Sequence, residues 1–181
     1  MIFKKVIVAL VFLLAVFGCS SITAQTILGI KVGESLVNAK SVLKTRYGSK
    51  LYESSGNLKL SDFAMGPINF KYGELSFQWS GETSKMVGAS FQDWDEPNET
   101  ERLIQKRESL KNILGSKYAL YEYVNKQGFK CYEFIGDEVD GITMHGVITI
   151  DRSEGNDGTK RLYLCLIYEP IAAFINDSSD F

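Results

Sequence analysis

Histidine is nearly absent: His145 is the single one in 181 residues. A Ser–His–Asp arrangement or a zinc centre would need that imidazole to have partners, and no cysteine or carboxylate spacing around it completes one. His145, on a strand beside Gly146, therefore reads as structural. An excess of charge of one sign is also missing. With 20 basic and 22 acidic side chains the formal net charge is −2, which gives no electrostatic footprint for nucleic acid or an anionic surface. Beyond Phe17 there is no apolar run long enough to predict a membrane span. No stretch carries a catalytic, metal or cofactor signature, so neither an enzyme nor a cofactor is expected. A hydrolase is the weakest reading, for want of an activated nucleophile or an assembled acid–base pair.

What is present begins with Lys4-Lys5 and an uncharged apolar run from Val6 to Phe17. This fits the n- and h-regions of a secretory signal over residues 1–24, and predicts a periplasmic or secreted bacterial protein. Two exits compete. Ile22-Thr23-Ala24 offers the small residue a signal peptidase requires, and the small-residue rule favours a cut after Ala24. Val16-Phe17-Gly18-Cys19 resembles a lipobox, with Cys19 as the alternative lipidation site. The cut after Ala24 leaves 157 residues carrying 18 basic and 22 acidic side chains, a net −4. That is enough for one ordinary domain or two small fused halves.

Cysteine is scarce as well, with Cys131 and Cys165 beyond the leader. Export invites a disulfide. Each cysteine sits inside a strand-like run, however. If a third strand separates those runs, their Cα atoms stand about 9–10 Å apart, beyond disulfide reach. The preferred reading is two small buried hydrophobes.

One stretch occurs twice. Leu43-Lys44-Thr45-Arg46-Tyr47-Gly48-Ser49-Lys50 and, 67 positions later, Leu110-Lys111-Asn112-Ile113-Leu114-Gly115-Ser116-Lys117 both read L-K-x-x-x-G-S-K. In each, a helical pattern ends at the glycine and strand-like alternation follows. Leu36, Ala39, Leu43 and Tyr47 form one stripe, with Ser35 as N-cap and Gly48 as terminator. Leu103, Leu110, Ile113 and Leu114 form the second stripe, opened by an Asn98–Glu101 capping box. Strands are expected at Leu51–Ser54, Leu58–Phe63, Ile68 to Trp79 with a break in phase at Gly73, and Val87 to Phe91. In the second half they are expected at Tyr118–Val124, Phe129–Ile135, Ile142–Asp151 and Arg161–Tyr168. The predicted fold class is α+β: two tandem α-β-β-β-β repeats at 25–93 and 94–170. Each is an antiparallel sheet carrying one helix, the two sheets being able to join edge to edge. A polar tail follows at 171–181.

Gly33-Glu34-Ser35, Ala39-Lys40, Leu43 and Arg46-Tyr47-Gly48, with Phe70, Phe77-Gln78-Trp79 and the hydrophobic last strand, resemble a pattern in small exported bacterial proteins of unknown function. The paired helix-plus-sheet units are similar to the β-lactamase inhibitor protein fold and to the small lipoprotein of the outer-membrane barrel-assembly machine. The resemblance implies binding to another protein, often through a sheet face. The chain departs from both in having one helix per half rather than a helical pair.

The remaining candidates have plain readings. Asp151 to Gly158 has the oxygen density of a calcium loop but lacks EF-hand spacing, and reads as a hairpin loop. Asp93, Asp95, Glu96, Glu99 and Glu101 read as carboxylates at the positive end of the second helix. Asn98-Glu99-Thr100 and Asn176-Asp177-Ser178 match the glycosylation acceptor pattern, coincidentally for a bacterial chain. The aromatics are more informative. In the first half Leu75, Phe77, Trp79, Val87 and Phe91 are expected on the buried face, opposite a polar one. In the second half Tyr121 and Tyr123 oppose Leu120 and Val124, while Tyr163, Cys165 and Ile167 oppose Leu162, Leu164 and Leu166. These strands are apolar on both faces. Their second face either packs against the other half or the returning tail, or is an aromatic patch for a protein partner. Tyr121, Tyr123, Tyr163 and Ile167 are the candidate partner-binding residues.

Overall fold

The computed structural model describes residues 26–95, 100–139, 141–154 and 158–170. The leader with its two exits and Cys19, the Asn98 cap, Glu96, Glu99, the second acceptor pattern and the tail lie outside the described residues.

Local chemistry sets the first elements. Leu28-Gly29, both at positive φ, turn β1 (Thr26–Ile27) back on β2 (Ile30–Lys31). Ser35 Oγ accepts from Asn38 N–H at 3.3 Å and opens helix α1 (Leu36–Tyr47), satisfying one of the free first-turn donors. Gly48 closes it at φ 57°, its N–H donating to Lys44 O, a conformation that costs glycine nothing. After a 3₁₀ turn come β3 (Leu51–Ser54), β4 (Asn57–Met65), β5 (Ile68–Ser80) and β6 (Thr83–Asp95). Helix α2 (Thr100–Gly115) follows, then β7 (Tyr121–Val124), β8 (Lys130–Val139), β9 (Ile142–Glu154) and β10 (Lys160–Pro170).

The fold is α+β, with two helices on one large antiparallel sheet. The expected pair of sheets is a single one of eight strands, ordered β3-β4-β5-β6-β10-β9-β8-β7. The last strand of each half supplies the seam: β6 and β10 pair from Ala89↔Tyr168 to Asp95↔Leu162. Pairing there satisfies backbone groups that each half alone would leave as an open edge.

Both helices lie on the same face. Ala39 and Leu43 of α1, Leu103 and Leu110 of α2, and Ile27, Leu28 and Ile30 of the first hairpin share one core with Leu58, Phe91, Ile148 and Leu164. Phe63, Phe70 and Phe91 meet with ring centres 5.7–5.9 Å apart. Each buried ring contributes roughly 1.5–3 kcal/mol of apolar transfer.

Three expectations about burial are corrected. Trp79 is 76% exposed rather than buried. The β5–β6 register shifts at Ser76/Phe77, making Val87 an extra residue that turns Met86 inward, while Trp79 keeps the phase of Leu75 and Phe77 and is exposed at the end of β5, next to the Ser80–Thr83 turn. The expected phase break at Gly73 lies instead at Asp62 and Lys71, where Asp62 has φ 46°; Gly73 is a regular inward position roofed by Phe63 and Phe91. In α2, Ile113 is exposed and Arg107 takes the inward turn. Its guanidinium donates to Lys130 O at 2.8 Å and to Glu108 at 2.7 Å, which makes its burial tolerable.

Candidate functional site

The face of the sheet opposite the helices is the candidate site. Residues paired across neighbouring strands share a face, so the register itself lays out rows of side chains. One row runs Tyr121, Glu133, Val147, Ile167 and Ser90. A second contains Tyr123 opposite Cys131, and Thr149, Cys165 and Gln92. A third holds Asp151, Tyr163 and Trp94. All four sequence-selected residues therefore stand on one face. Tyr121 is 64% exposed; Tyr123, Tyr163 and Ile167 are half-buried. No described helix or hairpin covers this face. The halves lie side by side in one sheet, so the expectation that the second face packs against the other half does not hold; the tail lies outside the described residues.

The two halves of the open face differ in character. Across β4 and β5 it is polar: Tyr72 Oη and Asn57 Nδ2 donate to Glu74 at 2.5 and 2.6 Å, and Lys59 lies 3.7 Å away. Burial pushes the Glu74 carboxyl up, but these partners outweigh it and hold it below its usual range. Across β7 to β10 the face is aromatic and aliphatic. Tyr163 continues onto Trp94, ring centres 6.1 Å apart, and Lys71 Nζ stands 5.2 Å from the Trp94 ring centre.

The chemistry available here is recognition. Burial, and then the carboxylate of Asp151, push the Cys165 thiol up to about 12. Burial, then neighbouring Cys131, Glu133 and Asp151, push the Tyr123 phenol up. Burial likewise raises the Cys131 thiol. Thiols so placed stay protonated at neutral pH and are poor nucleophiles. Cys131 and Cys165 are free, on β8 and β10 with β9 between them, as strand spacing predicts. His145 is buried, with Nε2 3.8 Å from Glu133 Oε2. Asp151 accepts from Thr149 Oγ1 and, at 2.9 Å, from Asn125 Nδ2, which pins the β7–β8 turn to β9.

The acidic run before α2 has a different role from the expected one. Asp93 and Asp95 belong to β6 and are buried on its helix side. Arg102 forks onto both, 2.8 Å to Asp93 and 2.6 Å from its Nε to Asp95, and Lys106 also bonds Asp93. Burial pushes the Asp93 carboxyl up, but the bonds from Arg102 and Lys106 win and hold it below its ordinary value. This cluster clamps α2 to the seam strand. A groove of about 420 Å³ at one end of the sheet is lined by Val32, Trp79, Met86, Val87, Ile142 and Pro170. No group of three or more metal-ligating side chains occurs among the described residues, and no described helix is long and apolar enough to cross a membrane.

No family model, curated protein or solved structure matches the chain. Sequence reasoning missed Trp94, Glu133, Val147 and Asp151 as members of the face. Trp94 could have been found, since Phe91, Asp93 and Asp95 keep the alternation of β6 going; two inward carboxylates disguised that strand end as a linker.

Proposed function

We propose that the protein is a non-enzymatic binding module, exported to the periplasm or beyond, that receives another protein on the open face of β7 to β10. One observation carries the reading: Tyr121, Tyr123, Tyr163 and Ile167 come together on a face that no described helix or hairpin covers. Tyrosine and tryptophan are favoured at interface centres because they bury much area at little entropic cost. The N-terminal Lys4-Lys5 and apolar run support export, and the resemblance to exported bacterial proteins and to inhibitor-type folds points the same way.

We also read the two halves as copies of one α-β-β-β-β unit. Lys50 and Lys117 close the repeated octapeptide. Lys50 Nζ reaches Asp62 O and Lys117 Nζ reaches Asp137 Oδ2, each an aspartate at an irregularity in the second strand of its unit. Gly73 and Gly146 are each roofed by a phenylalanine of that strand, Phe63 and Phe134.

The test is crosslinked capture from the producing cell's envelope and culture fluid, comparing wild type with a folded Tyr121→Ser, Tyr163→Ser double variant. One dominant protein, lost in the variant, is the expected result. A partner retained by the variant would sink the choice of face. A lipid-anchored envelope assembly factor is the second reading, favoured by Val16-Phe17-Gly18-Cys19; lipid labelling lost in Cys19→Ala is its signature, and absence of label defeats it.

A further inference from the structure

We infer that the groove at the end of the sheet is the seat of this chain's own segment Ile171 to Ile175, an apolar strap laid over Trp79 on the helix side. The inference does not rest on the binding reading, but it bears on it, because a tail held on the helix side leaves the opposite face open.

The groove of about 420 Å³ is walled by Val32, Trp79, Met86, Val87, Ile142 and Pro170, with Lys85 also in its lining. The walls belong to the helix side of the sheet. Pro170 and Met144 are register partners, and Ile142 keeps the phase of the buried Met144. Trp79 keeps the phase of Leu75 and Phe77, and Val32 packs against the core. Trp79 is 76% and Ile142 48% exposed, so two large apolar side chains stand in water where the core ends, and covering them is favourable.

The occupant follows from where β10 stops. Pro170, the last residue of β10, is itself part of the groove wall. The chain then reads Ile171-Ala172-Ala173-Phe174-Ile175, five apolar residues in a row, before the polar Asn176-Asp177-Ser178-Ser179-Asp180. These five cannot prolong β10 along β6. The two strands pair only as far as Tyr168↔Ala89, and the next stretch of that edge is taken: Gly33 N–H donates to Met86 O and Met86 N–H to Glu34 O, both at 2.8 Å. An apolar run that finds no ladder there gains by laying its side chains over the exposed walls.

Its reach fits in both directions. Trp79 lies on β5, two strands from β10, which is about 9–10 Å sideways at the usual strand spacing. Continuing the register from Tyr168↔Ala89 puts Pro170 level with Val87. Trp79, through its partner Ser84, stands about three residues, or roughly 10 Å, further along. The diagonal is about 14 Å, the span of some four extended residues, and the fourth residue after Pro170 is Phe174. Lys85 offers a cation to Asp177 just beyond.

The test places the photocrosslinker p-benzoylphenylalanine at position 174 of the full chain and maps its products by mass spectrometry. Attachment within one molecule to the peptides holding Val32, Trp79, Met86 or Ile142 is the expected result. Attachment to peptides of the open face, around Tyr121, Tyr163 and Ile167, overturns the inference and takes the proposed binding face with it. Attachment to a second copy, or no attachment, overturns the inference and leaves that face untouched. In parallel, Phe174→Ser should raise the unfolding equilibrium constant about tenfold, as expected for one ring returned to water, while Ser178→Ala leaves it unchanged. Trp79→Ser combined with Phe174→Ser should cost less than the sum of the two single changes, because the partners are in contact. A Phe174→Ser chain as stable as wild type, or strictly additive losses, would also overturn the inference.

Discussion

The Phe134 ring occupies the space over Gly146 where a Cβ would stand. Phe134 and Gly146 are register partners on β8 and β9. The ring is held between Tyr118 at 4.9 Å and Tyr168 at 6.1 Å between centres, so it has nowhere to go. Gly146→Ala should therefore cost about 1–3 kcal/mol, the range for overpacking a filled core. Urea unfolding should show a lower midpoint at unchanged slope. Gly73→Ala, whose Cβ would meet Phe63 at 2.7 Å, should behave in the same direction. An alanine at 146 as stable as wild type would mean that the ring is free to swing away.

The clamp between α2 and β6 predicts a second outcome. Arg102→Met with Lys106→Met leaves Asp93 buried without its cations, a loss of about 3–5 kcal/mol for a buried charge stripped of partners. The pH dependence has a definite sign. Asp93 is held below its ordinary value of 3.8 in the folded state, so its stabilisation is complete above that value and is lost as pH falls through the lower folded value. In the double variant the sign should reverse: burial alone raises the carboxyl, and stability should improve as pH drops towards 4 (roughly the unfolded carboxyl value). Acid titrations of stability for the two proteins would check this; parallel curves would refute it.

Cys165 and Cys131 should resist alkylation in the folded protein. A thiol pushed up to about 12 holds almost no thiolate at neutral pH. Iodoacetamide at neutral pH should label neither cysteine until denaturant is added, and then both at the rate of an ordinary thiol. Rapid native labelling of Cys165 would show that its surroundings are more open and more polar than described.

Tyr121→Ser and Tyr163→Ser separate binding from folding. Tyr121 projects into solvent and Tyr163 is half-buried against Trp94, so the two changes should together cost only about 1–2 kcal/mol of cross-strand contact. Partner capture should nevertheless disappear. A variant that unfolds below room temperature would show that these tyrosines are core residues.

Sequence by itself determined the parts of this protein governed by neighbours along the chain. Ser35 and Gly48 bound α1 as read, because caps act over three or four residues. The alternation of Leu162, Leu164, Leu166 against Tyr163, Cys165, Ile167 was equally plain, since the two-residue period of a strand is local. Tertiary structure alone decided the rest. Backbone groups at a strand edge are the same for every sequence, so nothing local told β6 to pair with β10 and fuse two arrays into one sheet. A single extra residue, Val87, reversed the phase of β6 beyond it and turned Met86 inward. Asp93 and Asp95 could face inward only because Arg102 and Lys106, on a separate helix, arrive to neutralise them. The open face of β7 to β10 has the same origin: strands apolar on both sides need one covered face, and the seam placed both helices on the other side from Tyr121, Tyr163 and Ile167.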